Sequence, residues 1–218
     1  MAGARPPVRV SQVQSPADLR RHELEELHNA QLSKLKGAWR EGVFKQSMMD
    51  AHRSAISCLH LSGNCLLSGG FDGIIKEWQL PGGTMVRSLG GHTSAVRGVW
   101  SDREVYYSGS EDCLIVAWDP LTGKQFRSIN CFTPIRALAG DAAAGRLYTG
   151  HSDRSLRAYK SGADGGDLEI FKLKGAHSGA FTALSLVQGS DGHLLISTDE
   201  RGECRLWDLG VNFLKSEK

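Results

Sequence analysis

A forty-residue period constrains this chain more than any other feature. His52 and His92 lie 40 residues apart, as do Trp78 and Trp118, and Ser68/Ser108 and Asp72/Asp112 keep the same spacing. Four residue types in one register define a repeat, and a period of this length marks arrays and propellers, in which each unit buries its apolar face against the next. A third copy spans about 133–159, with Thr149, Asp153 and Tyr159 at the matching offsets and Thr133 at the histidine position. A fourth runs from His177 to Trp207 with Ser197 in place and Arg201 at the aspartate position; its histidine-to-tryptophan span is 30 residues against 26 in the first two. The four extra residues are expected to lengthen the turn around Gly189–Gly192.

Within each copy the pattern alternates β-rich runs with turn residues. In the second copy these runs are 95–100, 105–108, 114–118 and 125–129, separated by polar and glycine-containing segments. The chain has 26 Gly and 6 Pro, a balance suited to many tight turns. Four short antiparallel strands per ~40 residues make one propeller blade.

On Gly91-His92, the turn Ser108-Gly109-Ser110-Glu111-Asp112, Trp118-Asp119 and the closing Trp207-Asp208, the sequence resembles the WD-repeat β-propeller family. The expected fold is all-β, with blades near 52–91, 92–131, 132–175 and 176–217 inside a propeller region 42–217. Most members of the resembling family have seven blades, which would need about 280 residues. Four blades can close in principle. The alternative is a partial propeller, whose exposed sheet edges favour self-association or a partner that completes the ring.

In that family the repeated polar residues form a structural chain of hydrogen bonds. The resemblance assigns this role to His52, Ser68, Asp72 and Trp78 in the first blade and to His92, Ser108, Asp112 and Trp118 in the second. Thr149, Asp153 and Tyr159 stand for it in the third, and His177, Ser197 and Trp207 in the fourth. The physics agrees: a buried carboxylate needs donors, and imidazole and hydroxyl supply them. His, Ser and Asp are also the residue types of a hydrolase triad. A catalytic site is singular, however, and this set recurs with the blade and includes an indole, so no catalytic residue is assigned. His151 and His193 read as bland loop or strand histidines. Gly162–Gly166 reads as a hairpin turn, since no Lys-Ser/Thr follows it to make a phosphate loop.

Function is then expected at the blade loops, because loops on a rigid scaffold carry binding. The resemblance implies contacts on the narrow face, near the residue before each turn aspartate; here those positions are Phe71, Glu111, Ser152 and Glu200, with Arg97 and Arg136 near the strand starts. These are the candidate partner-binding residues, and a non-enzymatic protein-interaction scaffold is the expected function.

Upstream, Met1–Val13 holds no acidic residue and shows no periodicity; residues 1–14 are expected to be disordered. Ser15-Pro16-Ala17-Asp18 has the N-cap, first-turn proline and acid of a helix start. The helix is expected to run to about Lys36, with Gly37 ending it and a linker to residue 41. Trp39-Arg40-Glu41-Gly42 followed by a strand resembles the linker of F-box/WD-repeat proteins, which implies a substrate-recognition role in a ubiquitin ligase. The sequence departs from that family in lacking a recognisable F-box.

Composition removes other classes. With 26 basic and 24 acidic residues the formal charge is +2, too balanced and dispersed for a nucleic-acid footprint. No run reaches the ~18–20 apolar residues of a membrane span. Five cysteines, none in a Cys-x-x-Cys pair, suit reduced thiols in the cytoplasm or nucleus. No cofactor or metal is expected.

Overall fold

The computed structural model describes residues 29–30, 33–34, 37, 40, 42, 48–49, 51–102, 104–162, 169–189 and 192–209. The chain divides into two units, Met1–Met48 and Met49–Lys218. In the first, the described residues 29–30, 33–34, 37 and 40 are helical, and the rest of the expected helix lies outside the described residues. The expected disordered start, the Ser15 cap, Trp39 and the strand expected after Gly42 lie outside the described residues.

The second unit is all-β. Its first sheet joins β1 (Ile56–Ser62), β2 (Cys65–Gly70), β3 (Ile74–Gln79) and β4 (Thr84–Gly90) in sequence order. The second joins β5 (Val96–Ser101), β6 (Tyr106–Ser110), β7 (Leu114–Trp118) and β8 (Gln125–Asn130). The third joins β9 (Ile135–Asp141), β10 (Arg146–His151), β11 (Leu156–Lys160) and β12 (Glu169–Leu173). The fourth holds β13 (Phe181–Gly189), β14 (Gly192–Asp199) and β15 (Cys204–Asp208). All neighbours pair antiparallel, as meander blades require. Sixteen strands were expected from four copies; the described residues hold fifteen, the fourth blade contributing three.

The innermost strands pack in succession, β1 on β5, β5 on β9 and β9 on β13, and among the described residues no comparable packing returns from β13 to β1. Apolar layers fill the joints. Leu67, Ile75 and Leu89 of the first blade meet Val96, Val99, Val116 and Trp118 of the second. Ile115 and Ala117 meet Ile135, Leu138 and Leu147 at the next joint, and Tyr148, Leu156 and Ala158 meet Phe181 and Leu195 at the last.

Each inner strand carries the same bulge, between Ile56 and Cys58, Val96 and Gly98, Ile135 and Ala137, and Phe181 and Ala183. In the second, third and fourth blades the residue before the bulge docks on a glycine of the preceding blade. A Cβ on Gly69 would lie 2.7 Å from Val96, one on Gly109 2.9 Å from Ile135, and one on Gly150 2.4 Å from Phe181. Only glycine admits so close an approach. At the matching register of the fourth blade stands Thr198, opposite Ala183.

The extra residues of the fourth copy lengthen the hairpin itself. Pairing between β13 and β14 continues outward to Gly189 and Gly192, with strands of 9 and 8 residues against 7 and 6 in the first blade. The expectation of a longer turn is corrected: added residues that keep the alternation extend the ladder, because paired backbone groups are satisfied there.

Among the described residues, nothing covers the face of the first blade turned away from the second. Ile56 is 46% exposed, Leu59 62% and Leu61 58%, whereas the matching Val96, Val99 and Ser101 of the second blade are buried. Leu206 and Val187 stand exposed on the outer face of the fourth.

Candidate functional site

Two polar systems recur with the blades, one buried and one on the rim. In the second blade the indole Nε1–H of Trp118 donates to Ser108 Oγ at 2.9 Å, and Ser108 Oγ lies 2.8 Å from His92 Nε2. His92 Nδ1 is 2.8 Å from Asp112, which also accepts from the backbone N–H groups of Thr93 and Leu114. One consistent proton arrangement runs Trp to Ser to His to Asp, each N–H or O–H donating onward. Burial pulls the Asp112 carboxyl upward, but His92 and the backbone donors outweigh it and hold it below the usual range. The first blade repeats this: Trp78 Nε1 to Ser68 Oγ 2.9 Å, Ser68 to His52 Nε2 2.9 Å, His52 Nδ1 to Asp72 3.1 Å.

The third blade is built differently. Thr149 Oγ1 lies 2.8 Å from His151 Nε2, and His151 Nδ1 lies 3.1 Å from Thr133 Oγ1. His151 is fully buried and occupies the place that a histidine at 133 would have filled. The bland reading of His151 is thereby corrected. Asp153 bonds Ser155 and Arg157, and Arg157 also reaches Thr133 Oγ1 and the Cys131 carbonyl. The structure does not bring Tyr159 to Thr149; its hydroxyl goes to Cys131 Sγ and Glu169, each at 3.3 Å. A phenol carries its donor at the ring tip, beyond the point where the indole N–H sits.

In the fourth blade Trp207 Nε1 donates to Ser197 Oγ at 2.7 Å, and Ser197 lies 2.6 Å from His177 Nε2. Arg201 puts no carboxylate at the aspartate position, and Asp199 takes over the loop. It accepts from the backbone N–H groups of Gly179, Arg201 and Glu203 at 2.8, 3.0 and 2.8 Å. Burial works against its ionisation, yet these donors hold its carboxyl below the usual range.

The substitutes share one register. Each follows its blade's Ser or Thr by two positions: Gly70 after Ser68, Ser110 after Ser108, His151 after Thr149, Asp199 after Ser197. Residues two apart on a strand share a face, so this position aims at the same network. That spacing, together with the missing histidine at 133 and the missing acid at 201, was the signal in the sequence. His193, also read as bland, contacts Asp141 across the third and fourth blades.

The rim is set by a second repeated contact. The backbone N–H groups of Phe71, Glu111, Ser152 and Glu200 donate to the carbonyls of Ala55, Ala95, Pro134 and Ala180 at 3.0, 3.0, 3.1 and 3.0 Å. These four positions therefore line one end of the blades in equivalent places. The bulges turn Arg97 and Arg136 toward the same end. Glu111 Oε1 accepts from Arg97 at 2.7 Å and from Arg136 at 2.6 Å, and the Arg97 guanidinium sits 4.4 Å over the half-exposed Phe71 ring. The rim thus holds two guanidinium groups around one carboxylate, with an aromatic ring beside them, across three blades. Ser152 and Glu200 are exposed on the third and fourth blades, outside this cluster; Glu200 caps the backbone N–H of Ala180.

Two observations decide the family. The fifteen strands form four repeated sheets, and the family profile "WD40: WD domain, G-beta repeat" matches residues 43–79 and 83–119. The chain belongs to the WD-repeat β-propeller family. Proteins of this family generally act as protein-interaction scaffolds. The chain is similar to the "Ribosome biogenesis protein WDR12 homolog" of Arabidopsis thaliana, 33% identical over 58% of this chain and 29% of that protein. It is similar to "F-box/WD repeat-containing protein sel-10" of Caenorhabditis elegans, 31% identical over 41% of this chain and 15% of that protein. Among solved structures, the computationally designed Ika4 protein matches with a TM-score of 0.61 and 25% identity, covering 77% of this chain and all of Ika4. The chain thus spans less than a third of the length of either curated relative.

Proposed function

We propose that this WD-repeat chain is a non-enzymatic scaffold that binds an acidic protein segment across the rim of its first three blades. The arrangement of Phe71, Arg97, Glu111 and Arg136 carries the reading. Glu111 neutralises one of the two guanidinium groups, leaving about one positive charge beside an accessible aromatic ring. Arginine and aromatic side chains on a rigid support are the residues that dominate binding interfaces. The histidine–serine pairs favour no hydrolase: Ser108 is 1% exposed and its oxygen already accepts the Trp118 indole, so a substrate has no approach to it.

A peptide-display screen against the purified chain tests this. Enriched peptides should be acidic, and the Phe71→Ala/Arg136→Ala pair should weaken them roughly 10- to 30-fold, as expected for loss of a hot spot, with an unchanged melting temperature. Enrichment without acidic bias, or binding that survives both substitutions, would overturn the rim assignment. The relatives matched include both ribosome-biogenesis and F-box proteins. Substrate recognition in a ubiquitin ligase is the narrower form of the same proposal, in which the acidic segment is the recruited substrate.

The uncovered face of Ile56, Leu59, Leu61 and the half-exposed Met85 supports a second element of the reading. Apolar side chains clustered on an unpaired blade face mark an interaction site, and a second copy meeting the same face buries all four. Light scattering will show a dimer at tens of micromolar (an order-of-magnitude choice for a small interface) that Leu59→Arg converts to monomer. A wild-type chain that stays monomeric removes this element and leaves the rim intact.

A further inference from the structure

We infer that His177, Asp199 and Glu203 form a zinc site in the fourth blade. Tetrad histidines in the first two blades satisfy Nδ1 with a carboxylate at 3.1 and 2.8 Å. His177 does not. Its residue is 2% exposed and its Nδ1 has no hydrogen-bond partner. Asp199 Oδ2 stands 3.7 Å away and Glu203 Oε2 3.4 Å away, and the three atoms lie within 4.8 Å of one another. These separations are long for hydrogen bonds. They suit ligands of one tetrahedral ion, whose edges measure about 3.3 Å when the bonds are ~2.0–2.1 Å.

The surroundings fit a metal. The N1O2 set is one that zinc accepts, with a fourth position left for water. Asp199 is oriented by three backbone N–H groups, and the carboxylates supply two negative charges to one cation. A bound metal needs the Nδ1 lone pair, so the imidazole proton moves to Nε2 and is donated to Ser197 Oγ, 2.6 Å away, while the serine hydroxyl turns aside. No net proton is released. Ser197, held by Trp207, then acts as the outer partner that fixes a ligating histidine. One contact opposes the ion: the exposed Arg205 guanidinium sits 3.1 Å from Glu203 Oε2 and must swing away. The metal would tie the loop entering the blade to the β14–β15 turn, the task that Asp72 and Asp112 perform in blades one and two.

Zinc and cobalt titrations of the full chain test the site. The expected result is one Zn²⁺ per chain, a higher melting temperature with zinc, and a cobalt spectrum without thiolate charge transfer. Glu203→Gln alters a partly exposed rim carboxylate and should fold normally; it should weaken zinc by at least the roughly 10- to 100-fold that loss of even an outer partner costs. Arg205→Ala should tighten it. Absence of stoichiometric binding, binding unchanged in Glu203→Gln, or a cobalt–thiolate band placing the metal on cysteine would each overturn the site.

Discussion

Replacing Ser108 with alanine will lower the melting temperature by about 6–12 °C, with circular dichroism and differential scanning fluorimetry as readouts. The side chain is 1% exposed and links Trp118 Nε1 to His92 Nε2. Its removal leaves an indole N–H and an imidazole nitrogen without partners inside the joint between the first two blades. Each buried orphan costs about 1–3 kcal/mol, for a total near 3 kcal/mol, and a unit of this size shifts by about 2–4 °C per kcal/mol. Ser68→Ala will cost a similar amount, because Ser68 likewise links Trp78 Nε1 to His52 Nε2 and the His52 imidazole is fully buried. An unchanged melt for Ser108→Ala would show that the chain of hydrogen bonds does not support the fold.

Acid will weaken the propeller well above the carboxylate range, and His151 is the cause. Burial, with the Arg157 charge adding to it, depresses its pKa from the usual 6.5 to about 4; the Thr133 carbonyl and Asp153 oppose this weakly. Above pH 6.5 the imidazole is neutral in folded and unfolded chains and contributes no pH dependence. Between pH 6.5 and 4 the unfolded chain takes up a proton that the folded one refuses, so stability falls with pH. The full loss is about 3 kcal/mol at 1.36 kcal/mol per unit, and about 2 kcal/mol of it is reached by pH 5. Asp72 and Asp112, whose pKa values are lowered, act in another window: their support is present above pH ~4 and lost below it. Urea unfolding at pH 7 and pH 5 checks this, with His151→Gln expected to flatten most of the difference. A wild-type chain equally stable at both values would place His151 outside the network.

Much of this was written in the period. Where a blade keeps all four polar residues, spacing alone locates strands, turn and network, because one register fixes each side chain's face. Legibility failed where one role passed to another position. His151 looked incidental, since an isolated histidine on a strand carries no signal until the empty position at 133 is set beside it. Tyr159 looked like the third blade's tryptophan because aromatic size was matched while donor placement was not. The rim was legible as positions but not as a cluster: Arg97, Glu111 and Arg136 are far apart in sequence and meet only because the inner strands of successive blades pack side by side.

Thr198 has a consequence for growth. Every internal joint is the same step, a residue before a bulge seated on a glycine, and a protein made of identical steps has no intrinsic stopping point. Copies stacking first blade onto last would elongate without limit, the geometry from which fibres arise. Thr198 stands where that step needs glycine, and its Cβ takes the space an incoming Ile56 would occupy. The fourth blade is therefore unsuited to receive a further blade by that step. The symmetric pairing proposed for the exposed apolar face of the first blade does not use that step, and it closes after two copies.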